Sequence, residues 1–274
     1  MSTWLITGCS TGLGRSLAEA VLDRGDNVVV TARDVTKVED LAKADNALAL
    51  SLDVTDHSQV AEAVRAAETR FGAVDVLVNN AGYGYRAAVE EGDDTDVRRL
   101  FDTHFFGTVA LVKAVLPGMR ARRNGVIVNV SSIGARVRPP GSGYYAAAKA
   151  AVEGMSGSLR AELAPLGIAV MVVEPGAFRT DFAGRSLTQS AMSIADYAET
   201  AGRRRRERDA THGTQPGDPA RAAQAVITAV TSAAPPSLLL LGSDALSYVG
   251  GVLDAEQAEL AAWRAVSAST DFPS

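Results

Sequence analysis

The sequence is poor in cysteine, in histidine and in positive charge. Cys9 is the single cysteine among 274 residues, so no intrachain disulfide framework is available and a reducing, cytoplasmic setting is expected. Three histidines are present; His57 and His212 have no cysteine or carboxylate partners at ligand spacing, and no metal site is expected. Acidic residues outnumber Lys and Arg by 32 to 27, a formal charge of -5. That balance works against the attraction to phosphate backbones on which nucleic-acid binding rests. No apolar run reads as long enough for a membrane helix, and a first strand beginning by Thr3 is expected to leave no room for a signal peptide. What remains, 47% apolar and 22% charged residues, suits a soluble chain whose residues 1–274 fold as one domain around a full core.

Short β-rich runs at residues 4–7, 28–31, 47–52, 74–78, 126–130, 168–173 and 238–241 alternate with longer helical patterns. Such alternation implies right-handed crossovers and an α/β architecture, a parallel sheet of seven strands covered by helices on both faces. Between residues 184 and 217 the strand pattern lapses into polar and charged helical sequence, expected to leave the core as a lid over a ligand cleft. Within it, Arg203 to Arg206 with Glu207 and Arg208 read as a solvated helix face. Asp218-Pro219 opens a further amphipathic helix, and residues 245–265 read as a C-terminal helix packed on the surface.

Two local patterns carry chemistry. Thr7-Gly8-Cys9-Ser10-Thr11-Gly12-Leu13-Gly14 follows the first strand and opens a helix. Glycines there let backbone amides at the helix N-terminus approach a pyrophosphate, as in doubly wound Rossmann-type folds. The spacing has one residue more between the first two glycines than the common dinucleotide fingerprint. Tyr145 and Lys149 share one helical face, so the ammonium is expected to favour phenolate and make the phenol a proton donor or acceptor near neutral pH. Ser132 ends a strand thirteen residues before Tyr145, bringing a hydroxyl toward the same place. Tyr144 is the rival phenol, but four residues on lies Ala148, which carries no charge.

Taken in order, these motifs resemble the short-chain dehydrogenase/reductase family, from about Thr3 to Gly242. The resemblance implies that Gly8, Ser10, Thr11, Gly12, Leu13 and Gly14 form a cofactor loop and that Asp53 and Val54 contact adenine. It further implies that Asn80, Ala81 and Gly82 form the turn after the fourth strand, and that Pro175, Gly176, Phe178 and Thr180 lie on the nicotinamide side. Ser132 would orient a carbonyl oxygen, Tyr145 would protonate it, and Lys149 would hold the nicotinamide ribose and depress the Tyr145 pKa. The family also implies a homodimer or homotetramer built on the long helices near residues 95–122 and 144–164. His104 departs from the pattern: the family places an asparagine there, which kinks its helix and positions a water beyond the lysine. Imidazole keeps a donor or an acceptor but is larger and titrates near neutrality.

Cofactor choice is read from the end of the second strand. An acidic residue at position 32 would accept the adenine ribose hydroxyls, whereas Ala32 followed by Arg33 offers a guanidinium to a 2'-phosphate. NADP(H) is therefore expected over NAD(H), the alternative being that Asp34 takes the acceptor role. Tyr83, Tyr85, Arg86, residues 133–143 and Arg179 are expected to line a pocket. The cations Arg86, Arg136, Arg138 and Arg179 would suit an anionic substrate unless they point to solvent. The expected activity is an NADP(H)-dependent carbonyl reductase or alcohol dehydrogenase acting on a small molecule. The alternative, supported by His104, is a redox-neutral isomerase or dehydratase, or a cofactor-sensing binding protein.

Overall fold

The computed structural model describes residues 1–184, 186–206 and 213–272. Its main sheet has seven parallel strands in the order β3-β2-β1-β4-β6-β7-β9: Ala47–Ser51, Asn27–Ala32, Thr3–Ile6, Val76–Asn79, Gly125–Val130, Ile168–Pro175 and Leu238–Leu241. Strands buried on both faces need apolar side chains at odd and even positions alike. In β1, Trp4 and Ile6 point to one layer and Leu5 to the other. The first layer is covered by α1 (Gly12–Asp23) and α7 (Pro219–Val230), which contribute Leu17, Val21, Ala222 and Val226. The second is covered by α2 (His57–Phe71), α4 (Gly107–Arg122) and α6 (Gly143–Leu163), with Val60, Leu111 and Leu159 turned inward. Helices thus cover both faces, as the alternating pattern requires.

Strand ends move by a residue or two from the sequence reading. β7 runs on through Glu174 and Pro175, which pair with Leu240 and Leu241 of β9; a carboxylate and a proline at its end conceal that extension from pattern reading. A small second sheet was not expected. Gly84–Arg86 (β5) pairs in parallel with Leu187–Gln189 (β8), so the 184–217 stretch leaves the main sheet but is strapped back beside Gly84. A Cβ at Gly84 would lie 2.4 Å from Leu187 Cδ1, so the two strands pack closely there.

Two further expectations are corrected. Helix α3 (Asp94–Phe101), a π-helical turn (Asp102–Phe106) and α4 run on continuously. Joined, Asp94–Arg122 is long and apolar enough by composition to cross a membrane; its apolar positions Leu111, Val112, Val115 and Met119 pack against the sheet. The C-terminal helix α8 spans Ser243–Ala268, but only Ala245 and Val249 are buried. Past Gly250 and Gly251, around which nothing lies within 4 Å, it projects with Leu260 and Trp263 exposed. Two adjacent residues without side chains offer no surface to hold the later turns down.

Candidate active site

At the switch between β1 and β4, two loops meet at the carboxyl ends of neighbouring strands, where open α/β sheets bind ligands. They are braced together. Thr7 Oγ1 accepts the amides of Asn80 and Ala81, each at 2.9 Å, and Asn80 Nδ2 donates to the carbonyls of Thr7 and Gly8 at 2.8 and 3.2 Å. A Cβ on Gly14 would lie 2.3 Å from Asn80 Nδ2, and one on Gly8 2.9 Å from Ala81 Cα. Helix α1 starts with no side-chain cap from Thr11 and no acidic residue in its first turn. Its first-turn amides and the positive end of its dipole are thus left to an anion. These residues fit a dinucleotide pyrophosphate.

At the end of β2, Ala32 is buried and Arg33 exposed. The Asp34 carboxylate is engaged in capping the turn Val35–Lys37, accepting from Thr36 N at 3.1 Å and Thr36 Oγ1 at 2.7 Å. Asp53 likewise accepts from Thr55, at 2.9 and 2.7 Å, and Val54 packs beneath Gly107, whose Cβ would lie 2.7 Å from Val54 Cγ2. On the far side, Ala177 N donates to Asp244 Oδ2 at 2.7 Å, with the same carboxylate against Gly176. Asp244 was missed by sequence reading; it lies on α8, far along the chain from the loop it fixes. Thr180 caps the next turn by accepting from Phe182 N at 3.3 Å, and it borders Gly12.

Ser132 and Tyr145 meet. Ser132 Oγ accepts from Gly134 N at 3.0 Å, and Ser132 Oγ and the Tyr145 ring edge both border Gly134, 3.2 and 3.4 Å from where its Cβ would lie. The Tyr145 ring packs edge-on to His104 at 5.6 Å and against Phe182 at 5.9 Å. Lys149 is buried; its Nζ donates to Val130 O at 2.8 Å and stands 5.9 Å from the centre of the Tyr145 ring. Here the expected charge effect is corrected. Burial pushes the Tyr145 phenol up to about 12, with Ser132 acting against it. Burial pulls Lys149 down to about 8, with Glu153 acting against it. Both groups are buried, and desolvation disfavours the charged form of each.

His104 is buried inside the π-helical turn. Its Nε2 stands 2.7 Å from Tyr83 O and 3.1 Å from Tyr83 N, while Nδ1 is buried with no partner. Nε2 thus meets both the amide and the carbonyl of Tyr83, its role set by the tautomer of the ring. Burial, then the charge of Lys149, push its pKa well below the ordinary histidine value. This corrects the expectation of titration near neutrality. The ring occupies the space a Cβ on Gly82 would need, 2.4 Å from His104 Cε1.

The surrounding cations are mostly engaged. Arg136 Nε donates to both oxygens of buried Glu174 at 2.8 and 2.9 Å, Arg138 faces Glu256 at 3.4 Å, and Arg179 donates to Gln215 O at 3.1 Å. Tyr85 is a core residue whose hydroxyl accepts from Asp93 N at 3.1 Å, and Tyr144 donates to Val89 O at 2.6 Å. Arg205 is not solvated: it pairs with buried Glu91 at 2.5 Å, pinning the 184–217 stretch. Glu207, Arg208 and His212 lie outside the described residues. Among the described residues no group of three or more metal-ligating side chains occurs.

The chain belongs to the short-chain dehydrogenase family, whose pattern it matches over residues 2–191. An oxidoreductase, BOA17, from Botryotinia fuckeliana is 39% identical over 267 residues, covering 96% of this chain and 97% of its own. A short-chain dehydrogenase structure from Streptomyces avermitilis superposes with a TM-score of 0.92 at 44% identity, covering 98% of each chain. The 3-ketoacyl-(acyl-carrier-protein) reductase of Brucella melitensis, complexed with NADH, has a TM-score of 0.75 at 28% identity over 89% of this chain and 97% of that one.

Proposed function

We propose that this chain is an NADP(H)-dependent oxidoreductase interconverting a small-molecule ketone and alcohol. The observation that carries the reading is that the Ser132 hydroxyl and the Tyr145 ring meet at Gly134 with the buried Lys149 Nζ 5.9 Å from the centre of that ring. When bound, the nicotinamide supplies or takes up the hydride. Ser132 donates a hydrogen bond to the carbonyl oxygen and orients it, and Tyr145 gives that oxygen its proton. Lys149, its Nζ 5.9 Å from the centre of the Tyr145 ring, would hold the nicotinamide ribose and stabilise the phenolate left by proton transfer. Support for the phosphorylated cofactor comes from Arg33, exposed at the ribose end, and from Asp34, whose carboxylate is occupied by Thr36.

The test is a panel of carbonyl compounds with NADPH, followed at the absorbance of the reduced nicotinamide, for wild type and Tyr145→Phe. Substrate-dependent oxidation lost in the variant supports the reading. Unchanged turnover in Tyr145→Phe, with chemistry rate-limiting, would refute it.

A further inference from the structure

Four segments that carry or flank the site meet in one partly buried ionic cluster. Glu174 ends β7 directly before Pro175-Gly176 and is fully buried. Arg136, in the short helix Gly134–Val137 after Ser132, donates through Nε to both Glu174 oxygens at 2.8 and 2.9 Å. The same guanidinium reaches Glu153 on α6, with Nη2 at 3.5 Å from Oε2. Ser131, beside Ser132, donates to the other Glu153 oxygen at 2.6 Å. The two carboxyls are thus brought together on Arg136. One guanidinium therefore serves two acids, and a fourth charge stands next to them: Lys149 is one helical turn before Glu153 on α6, its ammonium against the end of β6.

Resting on the proposed function, in which Lys149 is the working cation, we propose that Glu153 is a positioning residue. Fixed by Ser131 and Arg136, its carboxylate keeps Lys149 an ammonium against the burial that would neutralise it. A buried amine loses its proton readily when no anion is near, because desolvation disfavours the charged form. The groups facing Lys149 are Tyr145 and Glu153 on its own helix, His104 on the π-helical turn and the Val130 carbonyl on β6. Of these, Glu153 is the carboxylate. Those facing Glu153 are Ser131, Arg136, Glu174 and Lys149, with Glu256 of α8 beyond Arg136. Arg136 thus holds the Glu153 carboxylate in place, and Glu174 competes for the same guanidinium.

Lys37, Lys43, Lys113 and Lys149 are the lysines of the chain, so 13C-labelled lysine gives four ε-carbon signals, with Lys149 assigned by its loss in Lys149→Arg. Titrating these signals reads Lys149 protonation without any turnover. In Glu153→Gln the Lys149 midpoint should fall by about one pH unit or more, the effect of losing a nearby opposite charge. Glu153→Asp, which keeps the charge, should hold the midpoint above that of Glu153→Gln. In Glu174→Gln the guanidinium serves Glu153 alone, so the midpoint should hold or rise. A Glu153→Gln midpoint equal to wild type would overturn the proposal. Should Glu153→Gln fail to fold, a fall in Glu174→Gln would overturn it instead. If the midpoints move as stated but no carbonyl compound is reduced, the electrostatic role stands and the oxidoreductase reading falls.

Discussion

Arg33→Ala should separate the two nicotinamide cofactors. The guanidinium stands exposed at the end of β2, next to buried Ala32 and with the Asp34 carboxylate diverted to Thr36. A 2'-phosphate approaching it meets a cation without a competing acceptor from Asp34. Two unit charges about 4 Å apart interact by about 1 kcal/mol in bulk water and about 4 kcal/mol at an effective dielectric near 20. Exposure places Arg33 toward the lower value, and the near-double charge of the phosphate roughly doubles it. A contact of about 2 kcal/mol follows, or about thirtyfold in affinity. Titrating NADPH and NADH by fluorescence into wild type and variant measures this directly. NADPH should weaken about ten- to a hundredfold in Arg33→Ala, with NADH changed by less than about twofold. The NADPH advantage should also shrink as salt is raised, since an exposed pair is screened within about 8 Å at physiological ionic strength. Equal affinity of the two cofactors in the wild type, or equal loss of both in the variant, would refute the reasoning.

Tyr145→Phe should lower turnover by about a hundredfold or more, the usual contribution of a positioned proton donor, while Tyr144→Phe, which loses only a bond to Val89 O, stays near wild type. Gly14→Ala should destabilise the fold by about 1 to 3 kcal/mol in urea and weaken cofactor binding, because its Cβ would meet Asn80 Nδ2 at 2.3 Å and Gly8 O at 2.6 Å. Glu91→Gln should leave Arg205 without its charge partner and raise hydrogen exchange at Leu187–Gln189; exchange equal to wild type would show that this pair does not hold the strap. Burial pushes Glu174 up to about 7. A folded-state carboxyl raised above its unfolded value binds more protons than the unfolded chain, so stability declines as pH rises from about 4.3 toward 7. Glu174→Gln should flatten that part of the stability curve in urea unfolding at several pH values.

The sheet was legible because a strand buried on both faces has to be apolar at every position, and runs such as Val28-Val29-Val30 say so locally. The glycine loop and the Tyr145-Lys149 pair were legible for a similar reason, each being a pattern within one segment. The remainder depended on contacts between segments. Asp244 accepts from Ala177 N across 67 residues, and β8 meets β5 across more than a hundred; nothing in either segment alone specifies its partner. Charge readings failed for the same cause. Arg136, Arg138 and Arg205 read as free cations until the fold set Glu174, Glu256 and Glu91 against them. The phenol was misjudged in the opposite sense, since spacing on a helix fixes proximity but not solvation, and burial at Tyr145 outweighs the ammonium one turn away. His104 combines both lessons. Its place in the sequence marked it as a departure, yet its neutrality follows from enclosure between Gly82 and the Tyr145 ring and from the charge of Lys149. A neutral imidazole meeting the Tyr83 backbone ties the turn after β4 to the π-helical turn, so its first effect is on the shape of the site rather than on proton supply.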